Sequence, residues 1–201
     1  MKCDAPKAPP RDRIIETARD LFHRHGIHNV GVDTIADEAG TNKMTLYRHF
    51  RSKDDLIAEC MRTSSNEAEE IWADIAKDNP GDARRQLEAW IEMVAEGVAE
   101  DCRGCDLSNA VVELAEANHP ALKVIEAFWA SYRGHLAKMC REAGFSRPEL
   151  LADTLFTLLE GARLSRQNDH LQGPSGNFAA MAKAILRSFE ANERHAIRED
   201  A

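Results

Sequence analysis

The sequence predicts an all-α protein of about nine helices, in which a small N-terminal helix-turn-helix domain, residues 1–55, precedes a larger helical domain, residues 56–201. Three observations predict it. Apolar residues recur at three- and four-residue spacing along the chain, and no segment shows the alternation of a half-buried strand. Helix-breaking residues fall between the periodic segments, at Gly26, Gly40, Asn79-Pro80-Gly81, Arg103-Gly104, His119-Pro120, Gly144 to Pro148 and Gly173-Pro174. Charge is divided unevenly: residues 1–53 carry ten Lys/Arg against seven Asp/Glu, net +3, which leaves sixteen against twenty-seven, net −11, for residues 54–201.

An arm containing Pro6, Pro9 and Pro10 leads into a helix with Ile14, Ala18, Leu21 and Phe22 at helical spacing, stopped by Gly26. A short helix from about Val32 to Ala39 follows, with Ile35, Ala36 and Ala39 on one face, Asp33 near its positive N-terminus, and Gly40 to end it. Asn42 is a good N-cap for another short helix through His49, with Leu46 and Phe50 facing inward. Longer helices are expected at 53–78, 82–101, 105–117, 119–143, 148–169 and 175–195. The last two are the most apolar, and Leu151, Leu155, Leu158, Leu159, Phe178, Met181, Ile185 and Phe189 are the candidate homodimer interface. Two such helices meeting their symmetry mates make a four-helix bundle. The competing assignment packs both stripes inside their own domain.

Composition narrows the function classes. A chain of 201 residues, 43% hydrophobic, builds a core without disulfides. No run of eighteen apolar residues occurs and Met1 to Pro10 has no apolar signal stretch, so a soluble, cytoplasmic protein without a membrane partner is expected. Five scattered cysteines, Cys3, Cys60, Cys102, Cys105 and Cys140, read as reduced thiols. Cys102-Arg103-Gly104-Cys105 is a CxxC, but a structural zinc site needs about four ligands and a thioredoxin-like site needs a βαβ context. His23, His25 and His28 straddle a helix end without i, i+4 pairing and read as surface histidines. No nucleophile elbow, phosphate-binding glycine loop or spaced carboxylate pair appears, so neither an enzyme nor a cofactor or metal site is expected. The total charge of −8 excludes a general coat on nucleic acid; any DNA contact must be local to the N-terminal part.

That part carries a suitable constellation. The turn Gly40-Thr41-Asn42 lets the second short helix project Lys43, Met44, Thr45, Tyr47 and Arg48, which supply donors, a hydroxyl and apolar surface of the kind that reads base edges in a major groove. Tyr47, His49 and Lys53, with Thr34 on the preceding helix, can bond phosphate oxygens and set register. In correct order over about forty residues, Ala18, Leu21-Phe22, Gly26, Ile35-Ala36, Ala39-Gly40, Thr45-Leu46-Tyr47, His49-Phe50 and Ser52 to Leu56 resemble the DNA-binding domain of the TetR family. Met44 and Gly31 depart from the family pattern, the first where a small residue and the second where a Ser or Thr cap is usual.

The resemblance implies a homodimeric regulator, by default a repressor, that holds double-stranded DNA at a palindromic operator. It directs Lys43, Met44, Thr45 and Arg48 toward bases, and Thr34, Tyr47, His49 and Lys53 toward the backbone. It also implies that the acidic remainder binds a small-molecule effector. Aromatic residues Trp72, Trp90, Phe128, Trp129 and Tyr132 and polar residues Asn109, Glu113, Glu160 and Arg163 are the candidate pocket lining. Two other functions compete: a thiol redox or metal sensor using Cys102 and Cys105, and a helical protein-binding adaptor.

Overall fold

A computed structural model describes residues 8–114, 118–169 and 173–190, with nine α-helices and no strand among them. Cys3, the expected helical residues 115–117 and 191–195, and most of the N-terminal arm lie outside the described residues. The helices are α1 Pro10–His25, α2 Val32–Glu38, α3 Lys43–His49, α4 Lys53–Asp78, α5 Ala83–Glu100, α6 Asp106–Glu113, α7 Pro120–Glu142, α8 Pro148–Asp169 and α9 Phe178–Ser188. A 3-10 turn, Pro174–Asn177, precedes α9, so the helix expected from residue 175 begins more tightly wound. The helix expected over 105–117 ends at Glu113, with Leu114 as its C-cap.

The packing forms two compact units. The first comprises the described residues of Met1–Ala68 and Cys105–Phe128, and the second Glu69–Gly104 with the described residues of Trp129–Ala201. A cut after residue 55 therefore does not follow the packing, because α6 and the start of α7 join the N-terminal helices.

In the first unit, Ile14, Ala18 and Leu21 of α1 are buried with Ile35 and Ala36 of α2, Leu46 of α3 and Leu56 of α4. The local signals explain why three such short helices hold. Gly40 adopts φ +63° while its N–H donates to Asp37 O at 3.1 Å and that of Thr41 to Ala36 O at 2.9 Å, a Schellman closure that a side chain at Gly40 would strain. The Arg13 side chain donates to the Ala39 carbonyl at 3.1 Å, satisfying another exposed helix end. Asn42 Oδ1 accepts from Thr45 N at 2.9 Å and caps α3. A seven-residue helix is not stable alone. Burial of Leu46 and Phe50, about 1.5–3 kcal/mol each, pins α3 and leaves its other face outward.

The second unit is built on aromatic packing. Trp90, fully buried, donates from Nε1 to Tyr132 Oη at 2.8 Å and meets Phe178 edge-on with centroids 6.1 Å apart. Leu87, Leu136, Leu151, Leu155, Leu159 and Ala182 complete this core. Burial raises the thiol pKa of Cys60 in the first unit and Cys140 in the second, each to about 12, so both are inert side chains.

Candidate nucleic-acid interface

The outward face of α3 carries the residues expected there. Met44 is 83% and Tyr47 44% exposed, Lys43, Arg48 and His49 are exposed, and Thr45 is half-buried. Thr34, on α2, is exposed. An 83% exposed methionine on a helix already anchored from behind serves no packing purpose in the chain itself.

The charges of this unit are arranged selectively. Arg11 pairs with Glu59 at 2.5 Å, Arg19 with Glu67 at 2.5 Å, and Arg24 with Asp20. Lys43 Nζ donates to Asp33 Oδ2 at 3.0 Å, and this bond raises the lysine pKa above its ordinary value. Among the described residues, Arg48 and Arg51 are the cations of the first 53 residues whose side chains make neither an ion pair nor a hydrogen bond.

Lys53, expected to bond a phosphate oxygen, also makes a bond within the fold. Its Nζ donates to the Ile27 carbonyl at 2.6 Å, and burial lowers its pKa against the opposing pull of Asp54 and Glu113. One donor thus braces the turn between α1 and α2, leaving two for other acceptors. His23 and His28 are likewise engaged: His23 Nδ1 lies 2.6 Å from Asp106 Oδ1, and His28 Nε2 lies 2.6 Å from the Glu113 carbonyl.

Glu113, proposed from sequence as pocket lining, holds this same turn. Its carboxylate accepts from Ile27 N at 2.6 Å and His28 N at 3.2 Å, and a Cβ on Gly26 would lie 3.2 Å from its oxygens. Asn109 and Phe128 also belong to the first unit. The remaining lining candidates belong to the second. Trp72 is buried, edge-on to Tyr132 at 4.8 Å and stacked on His135 at 5.0 Å. Trp129 is half-buried near Phe156 at 6.3 Å, and Glu160 pairs with Arg163 at 3.0 Å.

The expected interface set also divides. Leu151, Leu155, Leu159, Phe178 and Phe189, expected at the homodimer interface, are buried within the chain's own core. Leu158, Met181 and Ile185 instead line an open groove of about 620 Å³ together with Leu150, Thr154 and Thr157. The signal for this groove was a second stripe on the same helix, offset by one residue from the buried leucines and written partly in Thr and Gly. Cys102 is exposed, Cys105 half-buried, and both are free thiols.

Residues 14–60 match the family described as bacterial regulatory proteins, tetR family. The chain is 26% identical over 152 residues, 74% of its length and 78% of the relative's, to a protein of Bacillus subtilis named as the uncharacterized HTH-type transcriptional regulator YxaF. It is 32% identical over 100 residues, 49% of its length and 45% of the relative's, to the HTH-type transcriptional activator FasR of Mycolicibacterium smegmatis. The crystal structure of SCO4454, a TetR-family transcriptional regulator from Streptomyces coelicolor, superposes with a TM-score of 0.84 at 27% identity, covering 90% of this chain and 96% of that one. Residues 14–60, with an outward-facing α3 and a capped turn before it, thus match the tetR-family helix-turn-helix domain, and the chain is similar over most of its length to TetR-family transcriptional regulators.

Proposed function

We propose that the protein is a cytoplasmic homodimeric repressor that binds a palindromic operator through α3 and is released by a small-molecule effector held in its second unit. The observation that carries the reading is the exposed face of α3, where Arg48, His49 and Thr45 stand beside two uncovered apolar side chains, Met44 and Tyr47. Arg48 is suited to a bidentate bond to guanine O6 and N7, Met44 to the thymine methyl, and Thr34, Tyr47, His49 and Lys53 to phosphate oxygens. A dimer with α3 repeated about 34 Å away, or somewhat farther, fits two half-sites on one face of the duplex.

The α8–α9 groove supports the dimer. Its apolar lining meets an identical surface in an isologous contact, and its uncharged Thr154, Thr157 and Ser165 add no desolvation penalty of the kind a buried charge brings. For effector binding, the support is the Trp72 indole N–H, which is buried without a hydrogen-bond partner among the described residues. A buried donor of this kind calls for an acceptor, and a ligand can supply one. Helices α4 and α7 each contribute residues to both units, giving an effector-driven change a covalent path to the reading helices. To work as a switch, the effector must favour one dimer state by a few kcal/mol.

The test is selection of bound sequences from a random duplex pool at fixed salt. A palindrome is the expected product; sequence-blind retention overturns the reading. A second reading rests on Cys102 and Cys105, free thiols of which the first is exposed and the second half-buried, and makes the effector thiol-reactive. A Cys102→Ser, Cys105→Ser protein that still releases DNA on effector binding excludes it.

A further inference from the structure

Lys43 opens the reading helix, and a lysine there would ordinarily be the least discriminating of contacts, a hydrated point charge on a flexible stem that accepts any phosphate. Here its ammonium is tethered. Asp33 Oδ2 takes one of its three donors at 3.0 Å, although both side chains are well exposed, 52% for Lys43 and 69% for Asp33. Asp33 stands one residue before Thr34, so a carboxylate sits among groups meant to meet a polyanion. A cation adds to phosphate affinity by displacing a counterion, and this carboxylate ties one up where, among the described residues of the first 53, Arg48 and Arg51 are the cations left untied.

We propose that Asp33 is a positioning and specificity-determining residue for DNA recognition, tethering Lys43 so that its ammonium is withheld from backbone phosphates and its remaining donors face an acceptor on a base edge. The base edge with matching chemistry is guanine, whose O6 and N7 accept from lysine in the major groove. At sequences lacking that acceptor, the tethered ammonium gains nothing. Non-specific affinity falls more than specific affinity, and the ratio between them widens. The inference rests on α3 as the reading helix.

Salt-dependent duplex binding of the full chain tests it, on a selected operator and on a scrambled duplex, for wild type, Asp33→Asn, Lys43→Gln and the double variant. Freeing Lys43 with Asp33→Asn raises affinity for the scrambled duplex several-fold and steepens the plot of log affinity against log salt by about 0.9, one phosphate contact. The operator-to-scrambled ratio falls by roughly tenfold, the discrimination of one good base contact. In the Lys43→Gln background the same substitution leaves the slope unchanged. A steepening that persists without Lys43 overturns the proposal, because the carboxylate then acts by its own charge alone. So does an unchanged slope in Asp33→Asn. If the wild type selects no sequence, the reading of α3 itself falls and carries this inference with it; if selection succeeds and the slope does not move, only the role of Asp33 is lost. Both substituted residues are exposed, and matched thermal melting curves show whether a change in binding is a change in folding.

Discussion

Helix α3 and the α8–α9 groove both leave apolar side chains uncovered, but they surround them with different chemistry. On α3, Met44 and Tyr47 alternate with Lys43, Arg48 and His49, and the helix is only seven residues long. In the groove, Leu150, 49% exposed, lies with Leu158, Met181 and Ile185 among threonines, a serine and a glycine; its one carboxylate, Asp153, pairs with Arg133 at 3.4 Å. Exposed apolar surface alone says that something covers it. The neighbours say what. Cations and hydroxyls beside an apolar side chain suit a base edge flanked by phosphates, whereas small uncharged side chains permit close approach of another helix.

The comparison predicts that the two surfaces can be broken independently. The largest effect is expected from Leu158→Arg, which places a charge in the groove: the protein should sediment as a monomer and lose at least about 100-fold in palindrome affinity, since the second half-site no longer benefits from linkage. Retention of a dimer would remove the groove from the interface. Next, Arg48→Ala should weaken operator binding by about 1–3 kcal/mol and relax preference at one position of each half-site, with sedimentation unchanged. A change in assembly would show that the surfaces are not separable.

Smaller effects sharpen the account of what aims α3. Glu113→Ala strips the bonds to Ile27 and His28 N–H and should cost about 1–3 kcal/mol in urea unfolding, with weaker DNA binding at equal salt slope. An altered slope would instead implicate a lost phosphate contact. The smallest is an acid effect at Glu59. Burial pushes its carboxyl pKa up, but hydrogen bonds from Arg11 and Arg62 outweigh it and leave the pKa below the ordinary value. A depressed folded pKa contributes stability above the usual glutamate range, about 4.3, and that stability is lost as pH falls through the folded value. Glu59→Gln should therefore flatten the acid limb of the stability curve below about pH 5, by under about 1 kcal/mol for a pair at the surface. An unchanged limb would show that the Arg11 pair contributes nothing.

Much of the reading unit was legible because its signals are local. Gly40 and Asn42 act within a few residues of themselves, and the helical period of Ile14, Ala18, Leu21 and Phe22 requires no knowledge of a partner. The same holds for α4, found at the expected residues 53–78. The Lys43–Asp33 tether was not legible: Asp33 read as a charge at a helix terminus, and its partner lies ten residues away across the turn.

Helix positions, their caps and the exposed chemistry of α3 were thus determined by the sequence itself, since backbone capping and 3.6-residue periodicity are short-range. The tertiary structure decided which apolar stripe faces inward. On α8, Leu151, Leu155 and Leu159 and the neighbouring Leu150, Leu158 and Gly161 lie on adjoining faces, and a helix whose stripe is that wide is compatible with two rotations. Packing against Trp90 and Phe178 selects one of them, just as the free backbone N–H groups of Ile27 and His28 claim Glu113. Such choices depend on which groups from distant segments meet, and periodicity along one helix carries no record of that meeting.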